Sequence, residues 1–330
     1  MRISTKSPTS FAMNKPSPLE VREKQVCILM GTFQGERHLL EQLESIRSQT
    51  HGHWKLFVSD DGSTDNTLPI LLDFQASLCP GQMEIVAGPR RGFAANFMSL
   101  LLNPSIEGDY FAFCDQDDVW NKEKLAVAVS NLQSLSGPGE RPAVYGSATT
   151  DVDDNLNLLE KSHATRPVPS FKNALVQNIA GGNTIVLNKK MRELLLKIGN
   201  VEIVSHDWWI YLICTGADGI FYFDERPEIL YRQHANNLVG ANSPSRKVQL
   251  QRLKQVMHGR YKYWMGINLN ALENARPVLT KENIIIMEQL ISLRRMPFPS
   301  RLIELHQSGI RRQSWHGNLG LFFACLLNWL

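Results

Sequence analysis

Three carboxylates fall within four residues at Asp115-Gln116-Asp117-Asp118, directly after the apolar run Phe111-Ala112-Phe113-Cys114. Crowded carboxylates at the end of a buried strand repel one another and lose hydration. A shared cation or several hydrogen-bond donors offsets that cost. Hard divalent ions such as Mg²⁺ and Mn²⁺ take oxygen ligands and bridge carboxylates to phosphate oxygens. The plainer alternative is a solvated acidic turn, but the strand before the cluster and Val119-Trp120 after it favour the metal. A second acidic run, Asp60-Asp61-Gly62-Ser63-Thr64-Asp65, also follows a strand-like stretch. Ser63 to Asp65 suit a turn and a helix start, which leaves Asp60 and Asp61 as surplus acids. A carboxylate there can accept the N3–H of a uracil or thymine ring. Thr32, after the first strand, can support the nucleotide from the neighbouring loop.

Residues so far apart in the chain need a sheet to bring them together. Val26–Met30, Lys55–Ser59, Met83–Ala87 and Tyr110–Cys114 are short apolar runs that suit buried strands. Between them, Glu36–Ser48, residues 66 to 77 and Ala94–Leu102 carry helical patterns, with Ser63 or Thr64 as candidate cap for the second. Asn121 is a candidate cap for a fourth helix carrying Leu125, Val129 and Leu132. This alternation predicts an α/β fold with a mostly parallel central sheet flanked by helices. Ligands of such sheets bind beyond the carboxyl ends of the strands, where Thr32, Asp60-Asp61 and Asp115–Asp118 all fall. In the second half, Pro142–Thr149, Asn183–Leu187, Gly219–Phe223 and Ile229–Gln233 read as strands. Asp207–Cys214 reads as a mostly buried helix, with Asp207 a candidate N-cap and Gly216 a candidate C-cap.

Composition narrows the function classes. The chain has 330 residues, with 35 Lys+Arg against 32 Asp+Glu, a net charge of +3. That near-balance gives no reason to expect a nucleic-acid partner. Its five cysteines are scattered without a C-x-x-C pair, as expected of core residues in a reducing compartment rather than thiolate metal ligands. Residues 1–23 read as a flexible Ser/Thr/Pro-rich lead without the apolar core of a signal peptide. No stretch reaches the ~20 apolar residues that span a bilayer. A cytoplasmic location is therefore expected.

Taken together, Val26–Glu36, Asp60–Asp65 and Asp115-Gln-Asp-Asp118 resemble the family-2 glycosyltransferases of the GT-A fold. Gly181-Gly182-Asn183-Thr184, Ser205-His206-Asp207-Trp208-Trp209 and Tyr231-Arg-Gln-His234 extend the resemblance in the family's order, over residues 24 to 245. The pattern is similar to a rhamnosyltransferase-like subset that builds bacterial cell-surface polysaccharides such as O-antigen or capsule. The resemblance implies an inverting transfer of a sugar, rhamnose being one candidate, from a UDP- or dTDP-linked donor to a saccharide or lipid-linked acceptor. It implies that Asp60 or Asp61 contacts the base, that Asp115 meets the ribose or a metal, and that Asp117 holds Mg²⁺ or Mn²⁺ between the diphosphate oxygens. Asp207 takes the place of the catalytic base, and His234 that of a further metal ligand or diphosphate contact. Arg90 or Arg91, in Gly88-Pro-Arg-Arg-Gly92, either neutralises the diphosphate or is simply a solvated surface arginine. His206 receives no role.

Residues 246–330 lie outside the resemblance and read as a helical extension, with helices over Lys247–Trp264 and Glu282–Arg295 and Thr280 capping the second. Arginines 294, 295, 301, 311 and 312 precede the apolar run from Leu319 to Leu330. This pattern suits peripheral contact with the inner face of the cytoplasmic membrane, although packing on the catalytic domain or a dimer contact explains the same residues. Two other functions fit an acidic α/β site: a nucleotidyltransferase, and a non-catalytic nucleotide-sugar-binding or assembly protein. The first lacks its Gly-rich phosphate loop, and the second is disfavoured by the full set of acidic stations. The Rossmann G-x-G-x-x-G signature is absent as well.

Overall fold

The computed structural model describes residues 23–137, 141–161, 168–233 and 259–330. Four parallel strands form its first half: β1 (Val26–Thr32), β2 (Trp54–Asp60), β3 (Met83–Ala87) and β4 (Tyr110–Cys114), side by side in the order β3-β2-β1-β4. They are joined through α1 (Leu39–Arg47), α2 (Thr67–Ala76) and α3 (Phe93–Leu101). Both faces of the sheet are covered, so alternate residues of β1 enter two separate cores. Cys27 and Leu29 belong to one, Val26, Ile28 and Met30 to the other. The register sets Thr32 opposite Asp60 and Met30 opposite Cys114, so the carboxyl ends of β1, β2 and β4 lie together at one end of the sheet.

Beyond β4 the sheet is mixed. The elements here are β5 (Val119–Trp120), α4 (Lys124–Ser136), β6 (Ala143–Val152), β7 (Leu158–Lys161), α5 (Phe171–Ala174), β8 (Val186–Asn188), α6 (Lys189–Ile198), α7 (His206–Gly216) and β9 (Ile220–Arg232). The strand order continues β4-β8-β6-β9-β5, with β8 antiparallel to both neighbours and β6 parallel to β9. The parallel arrangement expected from the sequence holds through the first half of the sheet and returns between β6 and β9, with antiparallel pairs at β8, β5 and β7. Residues Gly182–Thr184 form a 3₁₀ turn rather than the start of a strand, and Asn183 sits there beside Asp118. The chain thus enters β8 from the acidic end of the sheet and runs away from it, antiparallel to β4. The two strands expected over 219–233 are one. The pairing of β9 with β6 shifts register between Asp224 and Pro227 as a bulge, which accommodates the proline.

Helix caps depart from expectation. Helix α4 follows Glu123, and the Asn121 amide instead donates to the Pro227 carbonyl at 2.9 Å. Neither Ser63 nor Thr64 caps α2, which follows Asn66. Ser205, not Asp207, is the residue before α7, and Gly216 is helical with Ala217 beyond it.

Four helices follow: α8 (Arg260–Ala275), α9 (Lys281–Leu293), α10 (Ser300–Ser308) and α11 (Trp315–Leu326). Thr280 does cap α9, accepting from the Asn283 N–H at 3.2 Å. The 247–258 part of the expected helix, the expected 245/246 boundary and residues 1–22 lie outside the described residues. Met265, Leu272, Met287 and Leu305 share one buried cluster with Phe97, Phe113 and Trp209. The C-terminal helices are thus part of the main core. All five cysteines are free, and all but Cys79 are buried.

Candidate active site

At the end of β2, the Asp60 carboxylate is buried and surrounded by donors. The Thr32 and Ser63 hydroxyls donate to Oδ1 at 3.1 and 2.6 Å, and the Gly62 and Ser63 N–H groups to Oδ2 at 3.1 and 2.8 Å. Gly62 completes this turn at φ 98°, a conformation that favours glycine. Thr32 and Asp60, both expected at the nucleotide, hold this turn together through their side chains. Asp61 differs. It is half-buried and accepts from the Arg90 N–H at 2.5 Å and the Gly92 N–H at 3.1 Å, which ties the loop after β3 to the loop after β2. Arg91 in that loop is exposed and makes no hydrogen bond or ion pair with the described residues.

The acidic cluster is fixed by neighbours that the sequence reading left without roles. The Gln116 amide pairs with the Phe33 backbone, accepting from its N–H at 2.8 Å and donating to its carbonyl at 2.9 Å. Asp118 is fully buried and accepts from the Asn183 amide at 2.5 Å and the Arg232 N–H at 3.3 Å. The Arg232 guanidinium, also buried, donates to the Asp117 carbonyl at 2.9 Å and reaches the Asp154 carbonyl and the Glu41 carboxylate. Asn183 and Arg232 stand within recognisable motifs, but only the folded sheet brings them to residues 65 and 115 positions away.

Burial, then the charge of Asp117, pushes the Asp118 carboxyl up to about 7, against the opposing Asn183 and Arg232 donors. Asp115 is pushed well above the carboxylate range by burial, then by the charges of Asp118, Asp117 and Asp207. Asp207 is the smallest of these influences, and it reaches the acidic cluster from a different element, α7. The result is a strand end where neighbouring carboxylates repel one another.

Among the described residues, no three carboxylate, thiol or imidazole groups converge as a protein-only metal cage. A Mg²⁺-like ion that binds with phosphates needs only one or two carboxylates from the protein. Asp115 and Asp117 suit that role, since a cation would relieve the repulsion that raises the Asp115 carboxyl. His234, the other expected ligand, lies outside the described residues.

Asp207 occupies the first turn of α7, where the helix dipole favours a carboxylate. It is half-buried, and its Oδ1 accepts from the Trp208 N–H at 2.7 Å. Its neighbours anchor the helix: the Trp208 indole donates to the Ala174 carbonyl at 2.6 Å, and Trp209 is fully buried. His206 packs against Phe97 and Phe113, with ring centroids 4.3 and 4.8 Å away, and neither ring nitrogen has a hydrogen-bond partner. Burial holds it down to about 4, against the pull of Asp207, so the ring is neutral. A Cβ on Gly182 would meet its Nε2 at 2.2 Å, which accounts for glycine there.

Known proteins share both this architecture and the sequence. S. aureus TarS 1–349, solved in complex with UDP-GlcNAc, aligns with a TM-score of 0.50 at 15% identity, covering 91% of this chain and 81% of that one. GalNAc-T7, solved with UDP, GalNAc and Mn²⁺, aligns with a TM-score of 0.53 at 11% identity, covering 90% and 56%. The fold is that of the GT-A glycosyltransferases. In sequence, the Glycosyl transferase family 2 model matches residues 27–171. The dTDP-rhamnosyl transferase RfbG of Shigella flexneri is 34% identical over 256 residues, 74% of this chain and 84% of that protein. The UDP-Glc:alpha-D-GlcNAc-diphosphoundecaprenol beta-1,3-glucosyltransferase WfgD of Escherichia coli is 32% identical over 191 residues, 57% and 68%. The chain belongs to glycosyltransferase family 2 and is a glycosyltransferase.

Proposed function

We propose that this transferase moves a sugar, with inversion, from a UDP- or dTDP-linked donor to a saccharide or lipid-linked acceptor of a cell-surface polysaccharide. The observation that carries the reading is the acidic loop after β4, held by Phe33, Asn183 and Arg232 at the carboxyl ends of β1, β2 and β4. The names of RfbG and WfgD support dTDP- and UDP-linked donors and a diphosphate-lipid acceptor, and make dTDP-rhamnose the first donor to test.

Asp61 accepts the N3–H of the base, with Asp60 and Thr32 holding its turn from beneath. Asp115 takes the ribose or would share a divalent metal, which Asp117 would hold, with His234 as a further ligand or a diphosphate contact. Arg91 faces the diphosphate. A bound Mg²⁺ or Mn²⁺ supplies positive charge against the leaving diphosphate. Asp207 accepts the proton of the acceptor hydroxyl as its oxygen bonds to the sugar C1 and the C1–phosphate bond breaks on the opposite face. A lipid-linked acceptor places this work at the inner face of the cytoplasmic membrane, with the C-terminal helices as the contacting part.

A donor screen with a transfer readout, run with and without divalent metal, tests the reading. Asp117→Ala is expected to abolish metal-dependent turnover. Asp207→Asn is expected to keep donor binding and lose about 10²–10⁴-fold in transfer. Full activity in the Asp207→Asn protein would sink the base assignment.

A further inference from the structure

Helix α11 is apolar on its outer face as well as its inner one. Leu321, Ala324 and Cys325 are buried against the protein, while Trp315, Leu319, Phe322, Phe323 and Leu326 are exposed, Trp315 by 69% and Phe323 by 50%. The exposed set is spaced i, i+4, i+7, i+8, i+11, one continuous helical face. The helix contains no Asp, Glu, Lys or Arg. Such a face normally marks a surface that something covers. At 12 residues α11 is too short to cross a bilayer, and no described helix is long and apolar enough to do so.

Arginines stand at both ends of the face. At its start, the Arg312 N–H donates to the Asn318 side chain at 2.7 Å and the Asn318 amide returns a bond to the Arg312 carbonyl at 2.9 Å, folding Arg311-Arg312 onto the first turn. At its end, buried Arg301 donates to the Cys325 carbonyl at 2.9 Å and to the Met296 carbonyl at 2.9 Å. That bridge brings Arg294-Arg295 to the last turn of α11. From residue 294 to the end of the sequence there are five arginines and one acidic residue, Glu304. A second copy of the same face would bring these cations together. An anionic lipid surface would pair with them.

We infer that the outer face of α11 lies in the interface of an anionic membrane, with Trp315, Phe322 and Phe323 at the boundary between headgroups and acyl chains and Arg294, Arg295 and Arg311 at the headgroups. The protein itself serves as the polar side of this amphipathic element. The assignment rests on the reading of the chain as a transferase that meets its acceptor at the cytoplasmic membrane, and it specifies the surface and the lipid.

The test uses the full chain and sedimentation with vesicles of phosphatidylethanolamine and phosphatidylglycerol, or of phosphatidylcholine alone. The wild type is expected to sediment with the anionic vesicles and little with the zwitterionic ones. The triple change Leu319→Asp, Phe322→Asp, Phe323→Asp is expected to weaken binding at least about tenfold. It should still melt cooperatively, close to the wild type, since these side chains are about half exposed and lie outside the buried core. Changing Arg294, Arg295 and Arg311 to Ala should cost about fivefold per arginine on the anionic vesicles only. Equal binding of the wild type and the aspartate variant, or no binding by either, would overturn the inference. So would a concentration-dependent dimer that the aspartate variant dissolves. Hydrolysis of dTDP-rhamnose and UDP-sugars, measured without vesicles, separates the two readings: vesicle binding without turnover would count against the proposed donors and leave the membrane face standing.

Discussion

His206 is a titratable group that the fold keeps neutral. Its ring nitrogens have no partners and its ring packs on Phe97 and Phe113, so protonation would place an unsolvated cation in an apolar pocket. The unfolded chain takes up this proton near pH 6.5, whereas the folded chain does so only near 4. The stability contribution is therefore fully present above 6.5 and is lost as pH falls through 4, by about 3 kcal/mol in all. Urea midpoints of the wild type and His206→Leu, measured from pH 7 to 4, should converge or cross as the wild type loses stability faster. Parallel curves would show that the imidazole does not carry the effect. At the same scale, Asp60 and Asp61 are neighbours of one type with separate work. The four donors around Asp60 commit it to the turn, and the backbone N–H groups of Arg90 and Gly92 direct Asp61 to the next loop.

Elements converge on the acidic cluster through Arg232, at the end of β9. Its backbone N–H reaches Asp118, its guanidinium reaches the Asp117 carbonyl, and its far nitrogens reach Asp154 and Glu41. One side chain thereby fixes the loop after β4 against α1 and the turn after β6. Arg232→Met would keep the volume and leave buried carbonyls unpaired, so a loss of about 2–3 kcal/mol is expected in urea denaturation. Metal-dependent donor turnover should fall about 10–100-fold, as is usual when a support behind a ligating carboxylate is lost. Unchanged turnover in a folded variant would show that the loop holds its shape without the arginine. The strands from β1 to β4 were legible in the sequence because residues buried on both faces leave unbroken apolar runs, and their acidic ends were legible with them. Caps and breaks were not. Whether Asn121 or Asp207 caps a helix depends on partners far along the chain, and the bulge near Pro227 imitates the end of a strand. The link between Gln116 and Phe33 spans 83 residues and leaves no local trace.

At the scale of the whole molecule, the helices after residue 258 complete the support beneath Asp207. The Gly216 carbonyl at the end of α7 accepts from the Thr280 N–H at 3.0 Å and the Asn283 amide at 3.0 Å, so the start of α9 docks on the helix whose first turn bears Asp207. The Tyr261 hydroxyl donates to the Val176 carbonyl at 3.1 Å. Met265, Leu269, Leu272, Met287, Leu290 and Leu293 are buried in the same cluster as Trp208, Trp209 and Tyr211. Each such side chain contributes about 1.5–3 kcal/mol on burial. A chain ending at residue 245 would also expose their apolar partners on α7 to water. Such a truncation is therefore expected to be insoluble or to lack a cooperative melting transition, even though it keeps the region that resembles family 2. The aspartate changes on the outer face of α11 should, by contrast, retain a cooperative melt close to that of the wild type, since these side chains are about half exposed and lie outside the buried cluster. Calorimetry of the two proteins decides the matter. A soluble 1–245 chain melting cooperatively within a few degrees of the wild type would mean that the C-terminal helices pack against a catalytic domain already stable without them.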